Sequence, residues 1–405
     1  ALIAGGDAQT LLGMIQPFMK KRYERRAQIE AMLQALANSD DPVAIQFLLS
    51  ISRRYRTNSV QELARAQVSL IAARNGWTQD ELADRTVQTA GLEHLTQPSP
   101  FEFGSRTLAL ALGDDLKLRL LNEEGKLLKS LPQPRQTDNE GDIAEVKKWF
   151  SNCKKELKQV VEQQSARLYE AMVTERHWLA ADWQQYLHQH PVMYRLLQRT
   201  LWQVEIDGQW QTFRPTEDGA FIDIDDEELQ LPAAASIRLV SGNLLPEAAL
   251  DAWRSHLKDY KVKPLFEQLR SAEVTLTEGQ EALNDLRGRM TDCYTLRGLL
   301  TKKGYQRGEA EDGGFFDHYF KRFDTLGLRV EFGFSGNCVP EENEAAAIYD
   351  IRVMERTNPR GRYARYRQLP LAEVPVNLLN AIAVDYREVG EKCVAESDWE
   401  SKLPW

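Results

Sequence analysis

Between Val146 and Met172 the apolar residues Val146, Trp149, Phe150, Cys153, Leu157, Val160, Val161, Leu168 and Met172 return every three or four positions. At about 3.6 residues per turn that spacing holds one stripe on one side for about eight turns, and it predicts a single long helix. Its other side carries Lys147, Lys148, Lys154, Lys155 and Lys158. A solvated helix face is the plain explanation for such a run, and binding of nucleic acid or a protein partner is the alternative.

Ahead of this helix, residues 1–96 read as successive amphipathic helices. Ile29, Met32, Leu33 and Leu36 form one stripe and Ala44, Phe47, Leu48 and Ile51 a second. Asp41 before Pro42 suits a helix start, Asn75-Gly76 a helix end, and Thr78 with Glu81 three positions on a capping box. Phe47, Leu48, Ile51, Leu63, Leu70 and Ile71 are the expected core. Two-helix units of this size suit the end of an α-solenoid, with a plain helical bundle as the alternative. From Pro98 the texture turns to strands, at Thr107–Leu112, Lys117–Leu121 and Lys126–Leu131, and a polar linker marked by Pro132, Pro134, Asp138, Asn139 and Gly141 leads into the long helix.

After it, Asp207-Gly208 between Trp202–Ile206 and Trp210–Arg214 is a strong hairpin signal. Helices are expected near Pro246–Tyr260, Leu283–Lys303 and from Val376, and strands near Phe221–Ile224, Ile237–Val240, Phe315–Phe323, Leu328–Phe334 and Ala347–Arg356. No βαβ regularity orders them. The fold class is therefore α+β, in three parts: 1–96 helical-repeat-like, 97–200 a β-hairpin, linker and long amphipathic helices, and 201–405 an acidic α+β domain.

That last part holds 25 basic and 36 acidic residues, a net −11 within an overall −9, so nucleic acid is repelled unless a local basic patch overrides the field. No apolar run approaches the roughly 20 residues that span a bilayer. The four cysteines show no metal-ligand spacing and suit reduced thiols in a cytoplasmic protein. A start at Ala1-Leu2-Ile3, without Met, suggests a piece of a longer chain.

Signatures for dinucleotide binding, the P-loop, zincins and the α/β-hydrolase elbow are absent, and Gly333-Phe334-Ser335-Gly336 reads as a turn following a strand. His188 and His190 stand two apart and cannot readily share a metal on a helix; His190 before Pro191 suits a helix terminus. The run Asp223, Asp225, Asp226, Glu227, Glu228 lacks the EF-hand pattern and reads as a solvated loop. No metal site and no cofactor is expected. The richest feature is Arg356, Arg360, Arg362, Tyr363, Arg365, Tyr366 and Arg367, whose guanidinium forks and rings can grip phosphate and stack bases. Asn358-Pro359-Arg360-Gly361 suits a type I turn, after which strand alternation divides Arg362 from Arg365 and Arg367. Internal pairing with Asp and Glu competes with binding of a phosphate-bearing or acidic partner.

Gly76-Trp77-Thr78-Gln79-Asp80-Glu81-Leu82-Ala83-Asp84-Arg85, Phe101-Glu102-Phe103-Gly104 leading to Leu131-Pro132-Gln133-Pro134, Trp202 to Phe213, and Pro264-Leu265-Phe266-Glu267-Gln268-Leu269 carry a resemblance. Together they resemble a bacterial family of unknown function that forms the C-terminal part of long WGR-domain proteins known as molybdate metabolism regulators. The likeness runs from roughly residue 40 to residue 300. It implies a multidomain cytoplasmic setting with helical repeats upstream, beside MoxR-type ATPases and von Willebrand A-type proteins, and offers no catalytic residue to carry over. The WGR module, which helps read DNA damage in eukaryotic poly-ADP-ribose polymerases, is not in this chain. The expectation is a non-enzymatic interaction or regulatory module with protein partners. A nucleic-acid-binding part and an enzyme of unfamiliar type are the alternatives, the latter to be signalled by histidine, carboxylate and arginine converging in a pocket.

Overall fold

The computed structural model describes residues 14–15, 26–39, 41–54, 58–358 and 365–404. They pack as two compact units, 1–165 with 180–198 and 166–179 with 199–405.

In the first unit, α1 (Arg26–Leu36), α2 (Pro42–Arg54), α3 (Asn58–Asn75) and α4 (Gln79–Arg85) surround a core of Ile29, Leu33, Leu36, Leu48, Ile51, Ala64 and Ile71. The capping box forms as its sequence demands: Thr78 Oγ1 accepts from Glu81 N at 3.1 Å, and Glu81 Oε2 accepts from Thr78 N at 2.7 Å. Gly76, at φ +68°, turns the chain out of α3. Phe47 and Leu63 are half-buried against the core. Leu70, expected inside, is 62 % exposed, because the buried row of α3 runs Val60, Ala64, Val68, Ile71 and Leu70 lies off it.

An antiparallel sheet follows in the order β1 (Ser99–Phe103), β2 (Arg106–Leu112), β3 (Leu118–Leu121), β4 (Leu127–Leu128). The β1 strand was not expected from its sequence, since Pro100 and Glu102 break its apolar pattern. The long helix is α5 (Glu140–Val173). Asn139 opens it by accepting from Gly141 N at 2.8 Å and Asp142 N at 3.2 Å. Phe150, Cys153, Leu157, Val160, Leu168 and Met172 lie on its buried stripe, as the period requires.

In the second unit, a five-stranded sheet runs β5 (His177–Leu179), β9 (Ser236–Leu239), β6 (Trp202–Ile206), β7 (Gln209–Pro215), β8 (Phe221–Ile222). Asp207 and Gly208 turn the β6–β7 hairpin with φ of +52° and +74°, the pair of positive values that matches strand twist. Helix α6 (Glu247–Asp259) sets Leu250, Trp253 and Leu257 against Leu201, Val240 and Leu269. Gln268 is the polar tie of this core: its side chain accepts from Leu201 N at 2.8 Å and donates to the carbonyls of Leu201 (3.0 Å) and Val240 (2.9 Å).

The remainder is a seven-stranded antiparallel sheet in the order β10 (Ala282–Leu283), β15 (Ala345–Arg356), β14 (Leu328–Cys338), β13 (Phe315–Phe323), β12 (Gln306–Arg307). Strands β11 (Met290–Asp292) and β16 (Tyr366–Leu369) also pair with β15. Its inner face carries Tyr319, Val330, Phe332, Ile351 and Val353, buried together with residues of α7 (Cys293–Lys302) and α8 (Val376–Glu391). Two expectations are corrected here. The helix read over Leu283–Lys303 begins only at Cys293, where Asp292 Oδ1 caps it by accepting from Thr295 N at 3.0 Å, and β10 and β11 occupy its front half. Gly333-Phe334-Ser335-Gly336 is interior to β14 and not a turn; Phe334 is core and Ser335 Oγ accepts from Ala347 N at 3.1 Å.

The α+β class holds: helices mix with several sheets whose paired strands are all antiparallel among the described residues. Among the described residues no helix is long and apolar enough to cross a membrane.

Candidate anion-binding face

Strand β14 reads Leu328-Arg329-Val330-Glu331-Phe332-Gly333-Phe334, and a period of two puts Arg329, Glu331 and Gly333 on the face opposite the core. Register extends that face across its neighbours. His318 lies opposite Gly333, Phe320 opposite Glu331 and Arg322 opposite Arg329 on β13. Arg352 lies opposite Glu331 and Met354 opposite Arg329 on β15, and Tyr366 of β16 lies opposite Arg356.

Glu331, 3 % exposed, is the hub. Arg329 bonds its Oε1, Arg352 Nε donates to its Oε2 at 3.0 Å, and His318 Nε2 stands 4.0 Å from Oε1. A carboxylate can remain in so dry a place because two guanidiniums stay with it. Asp317 accepts from the other ring nitrogen of His318 at 2.8 Å. The Arg329 guanidinium lies over Tyr366, 4.4 Å from the ring centre, and over Phe320 at 5.4 Å, so it is held flat by cation–π contact.

Two glycines shape the floor. A Cβ at Gly333 would fall 2.9 Å from Asp350 Oδ1, and one at Gly308 2.8 Å from His318 Nε2, so side chains are excluded from both places. Asp350 lies within ion-pair range of Arg352 at 3.8 Å, yet its buried Oδ1 has no hydrogen-bond partner. Burial pushes the Asp350 carboxyl above the usual range, against the pull of Arg352 and Arg287. Arg329 Nε and Arg356 Nε are likewise buried donors without an acceptor. Buried polar atoms are satisfied almost everywhere in folded proteins, and these three are exceptions gathered on one face.

The arginine cluster read from sequence divides. Arg356 and Tyr366 stand on this face. Arg367 pairs with Glu355 at 2.7 Å on the opposite one, and Arg365 is exposed at the start of β16. Arg360, Arg362 and Tyr363 lie outside the described residues. Arg329, Glu331, Asp350, Arg352 and His318 were not singled out from sequence; the alternation within β14 was the available signal, but the register that joins three strands is not written in any one of them.

Elsewhere, His190 caps a helix: its Nδ1 accepts from Val192 N and Met193 N at 3.2 Å, and Nε2 donates to Val87 O at 3.0 Å. Burial lowers its pKa to about 4, and that of His188 likewise to about 4. Asp223 of the acidic run turns its own loop by accepting from Asp225 N at 2.9 Å and Glu227 N at 3.0 Å. Among the described residues no histidine, cysteine and carboxylate group is arranged to hold a metal ion. A second buried ionic group sits on the inner side of the same sheet. There Lys303 bonds Asp385 at 2.9 Å and also Glu388, Tyr305 donates to Asp385 at 3.1 Å, and Lys321 donates to Lys303 O at 3.0 Å. Burial draws the Lys321 ammonium below its ordinary pKa. Every member of that group has a partner, which marks it as a closed internal network.

The two matches with known proteins differ in extent, one covering the middle of the chain and the other most of it. Residues 125–305 match a family described as a domain of unknown function, DUF4132, a span that ends before β12 and the arginine face. Over 381 residues, 92 % of this chain, the sequence is 27 % identical to the uncharacterized protein YehI of Escherichia coli (strain K12). No solved structure matches. The chain spans 31 % of the length of the curated relative and is similar, through its middle, to a domain family whose function is unknown.

Proposed function

We infer that this chain is a non-enzymatic interaction or regulatory module of a larger bacterial multidomain protein, and that it docks a phosphate-bearing partner on the outer face of the seven-stranded sheet. The observation that carries this reading is the gathering of Arg329, Arg352 and Arg356 on one sheet face with Tyr366. Phosphate oxygens are the acceptors that guanidinium forks fit best. The match to about a third of a longer relative supports the module view. Within it, the N-terminal helices serve as the end of a helical repeat, and the whole works in the cytoplasm as the C-terminal part of a WGR-type regulator beside a MoxR-type ATPase. A peptide carrying two phosphoserines tests the reading by fluorescence anisotropy. The phosphorylated peptide binds and its unphosphorylated twin does not; equal binding of the two removes the phosphate from the account.

A specific observation favours a second reading, an enzyme of unfamiliar type. His318, Glu331, Asp350, Arg329 and Arg352 converge over a glycine floor, and Asp350 holds its proton more firmly than an ordinary aspartate. Two carboxyl groups held in unlike surroundings on one face are the arrangement that acid–base chemistry uses. The nucleic-acid alternative draws less support from the arginine run, because Arg356 and Arg367 face opposite ways.

A further inference from the structure

We propose that the groove between β3–β4 and α5 in the first unit is a docking site for an acidic polypeptide segment that inserts leucine-class side chains. It rests on different residues from the sheet face above. Leu118, Leu120, Leu127, Leu128 and Phe150 line a groove of about 270 Å³, rimmed by Arg119, Lys129 and Lys154. Leu127, on the edge strand, is 59 % exposed, so apolar surface is open to solvent here.

The rim has a definite sign. On α5 the positions 147, 150, 154 and 158 are three or four apart, so Lys147, Lys154 and Lys158 follow the same side as Phe150. Lys154 Nζ lies 4.2 Å from the centre of the Phe150 ring and marks the boundary between the apolar floor and the charged edge. Among the described residues, Lys129, Lys147, Lys148, Lys154 and Lys155 make no ion pair; Lys158 has Glu162 at 4.0 Å, exposed to water. The carboxylates nearby are committed elsewhere. Asp115 is held by Arg119 at 3.1 Å and Lys117 at 3.7 Å, Glu123 accepts from Thr107 N at 3.1 Å, and Glu124 accepts from Asn122. The groove thus offers unneutralised lysines around leucines.

That pairing selects the occupant. Leucine floors reward apolar side chains, which a nucleic acid backbone does not bring, and free lysines favour carboxylates on the same chain. Nucleic acid would instead call for arginine forks and open stacking rings, and the one exposed ring here, Trp149, leans on Phe101 at 4.9 Å. An acidic segment with leucine anchors satisfies both parts of the surface.

The test uses the whole 405-residue chain and a labelled peptide, Asp-Glu-Leu-Glu-Leu-Leu-Asp-Glu, with a twin in which serine replaces leucine. A single-stranded DNA of about 20 nucleotides serves as competitor. Saturable binding is expected for the leucine peptide. It weakens about tenfold in a Lys129→Glu/Lys154→Glu variant and again in Leu127→Asp, whose exposed side chains leave the circular dichroism spectrum unchanged. The serine twin loses most of the affinity and DNA fails to compete. No saturation by about 1 mM peptide, equal binding of the serine twin, insensitivity to both variants, or displacement by DNA each overturns the proposal.

Discussion

Replacing Glu331 by Gln removes one negative charge and keeps the shape, which makes it the sharpest probe of the hub. In the folded protein it leaves Arg329 and Arg352, 18 % and 30 % exposed in their side chains, facing a neutral amide. Breaking a buried pair in this way costs about 3–5 kcal/mol when the stranded charge is fully dry, and the partial exposure of both arginines lowers the expectation to about 2–4 kcal/mol. Urea denaturation followed by tryptophan fluorescence measures it, because Trp178, Trp202, Trp210 and Trp253 report on the unit that holds the face. A companion Arg352→Gln variant and the double variant complete a cycle. The double variant loses less than the sum of the singles, since each single strands the partner of the other. A Glu331→Gln midpoint equal to the parent, or strictly additive losses, refutes the description of Glu331 as the charge that holds this face together.

Three further expectations follow from separate parts of the chain. Leu48→Ala empties a fully buried position between α1, α2 and α3 and destabilises the first unit by about 2–5 kcal/mol; an unchanged urea midpoint contradicts its place in the core. His188 and His190 each carry a folded-state pKa lowered from 6.5 to about 4, so the unfolded chain takes up their protons first as pH falls. Stability of the first unit is therefore complete above about pH 6.5 and declines towards pH 4, and His190→Asn flattens that decline; a melting temperature unchanged over this window refutes the burial of both rings. Asp350 has the opposite sense, because its folded pKa is raised and the folded state holds the proton longer. Stability contributed by the protonated form fades as pH rises above the unfolded value, and Asp350→Asn removes that slope in acid titrations of the denaturation midpoint.

How legible this molecule is depends on whether a feature is local. The capping box at Thr78–Glu81, the Asp207-Gly208 turn and the stripe of α5 are each fixed by residues a few positions apart, and each forms as its sequence spells out. The stretch 283–292 is not local in that sense. Its apolar residues suit a helix, but β10 and β11 take their hydrogen bonds from β15, some sixty residues later. The same holds for the candidate face: Arg356 and Tyr366 were visible as an arginine–tyrosine run, while Arg329, Glu331 and Arg352 meet only through the register of β14 and β15. Tertiary pairing also decides Gly333, whose local sequence suits a turn but which lies inside a strand where Asp350 needs the space.

Two arginines on neighbouring strands that face opposite ways, Arg356 and Arg367, separate a built phosphate site from any general attraction of charge. Arg356 shares the sheet face of the Glu331 hub with Tyr366, whereas Arg367, one position along β16, lies opposite Glu355 on the other face and is already paired with it. Anisotropy titration of the diphosphoserine peptide against the parent, Arg356→Gln and Arg367→Gln compares two changes of identical charge. Binding is expected to weaken about tenfold in Arg356→Gln and to change little in Arg367→Gln. Equal losses in both variants, or none in Arg356→Gln, contradict the phosphate site.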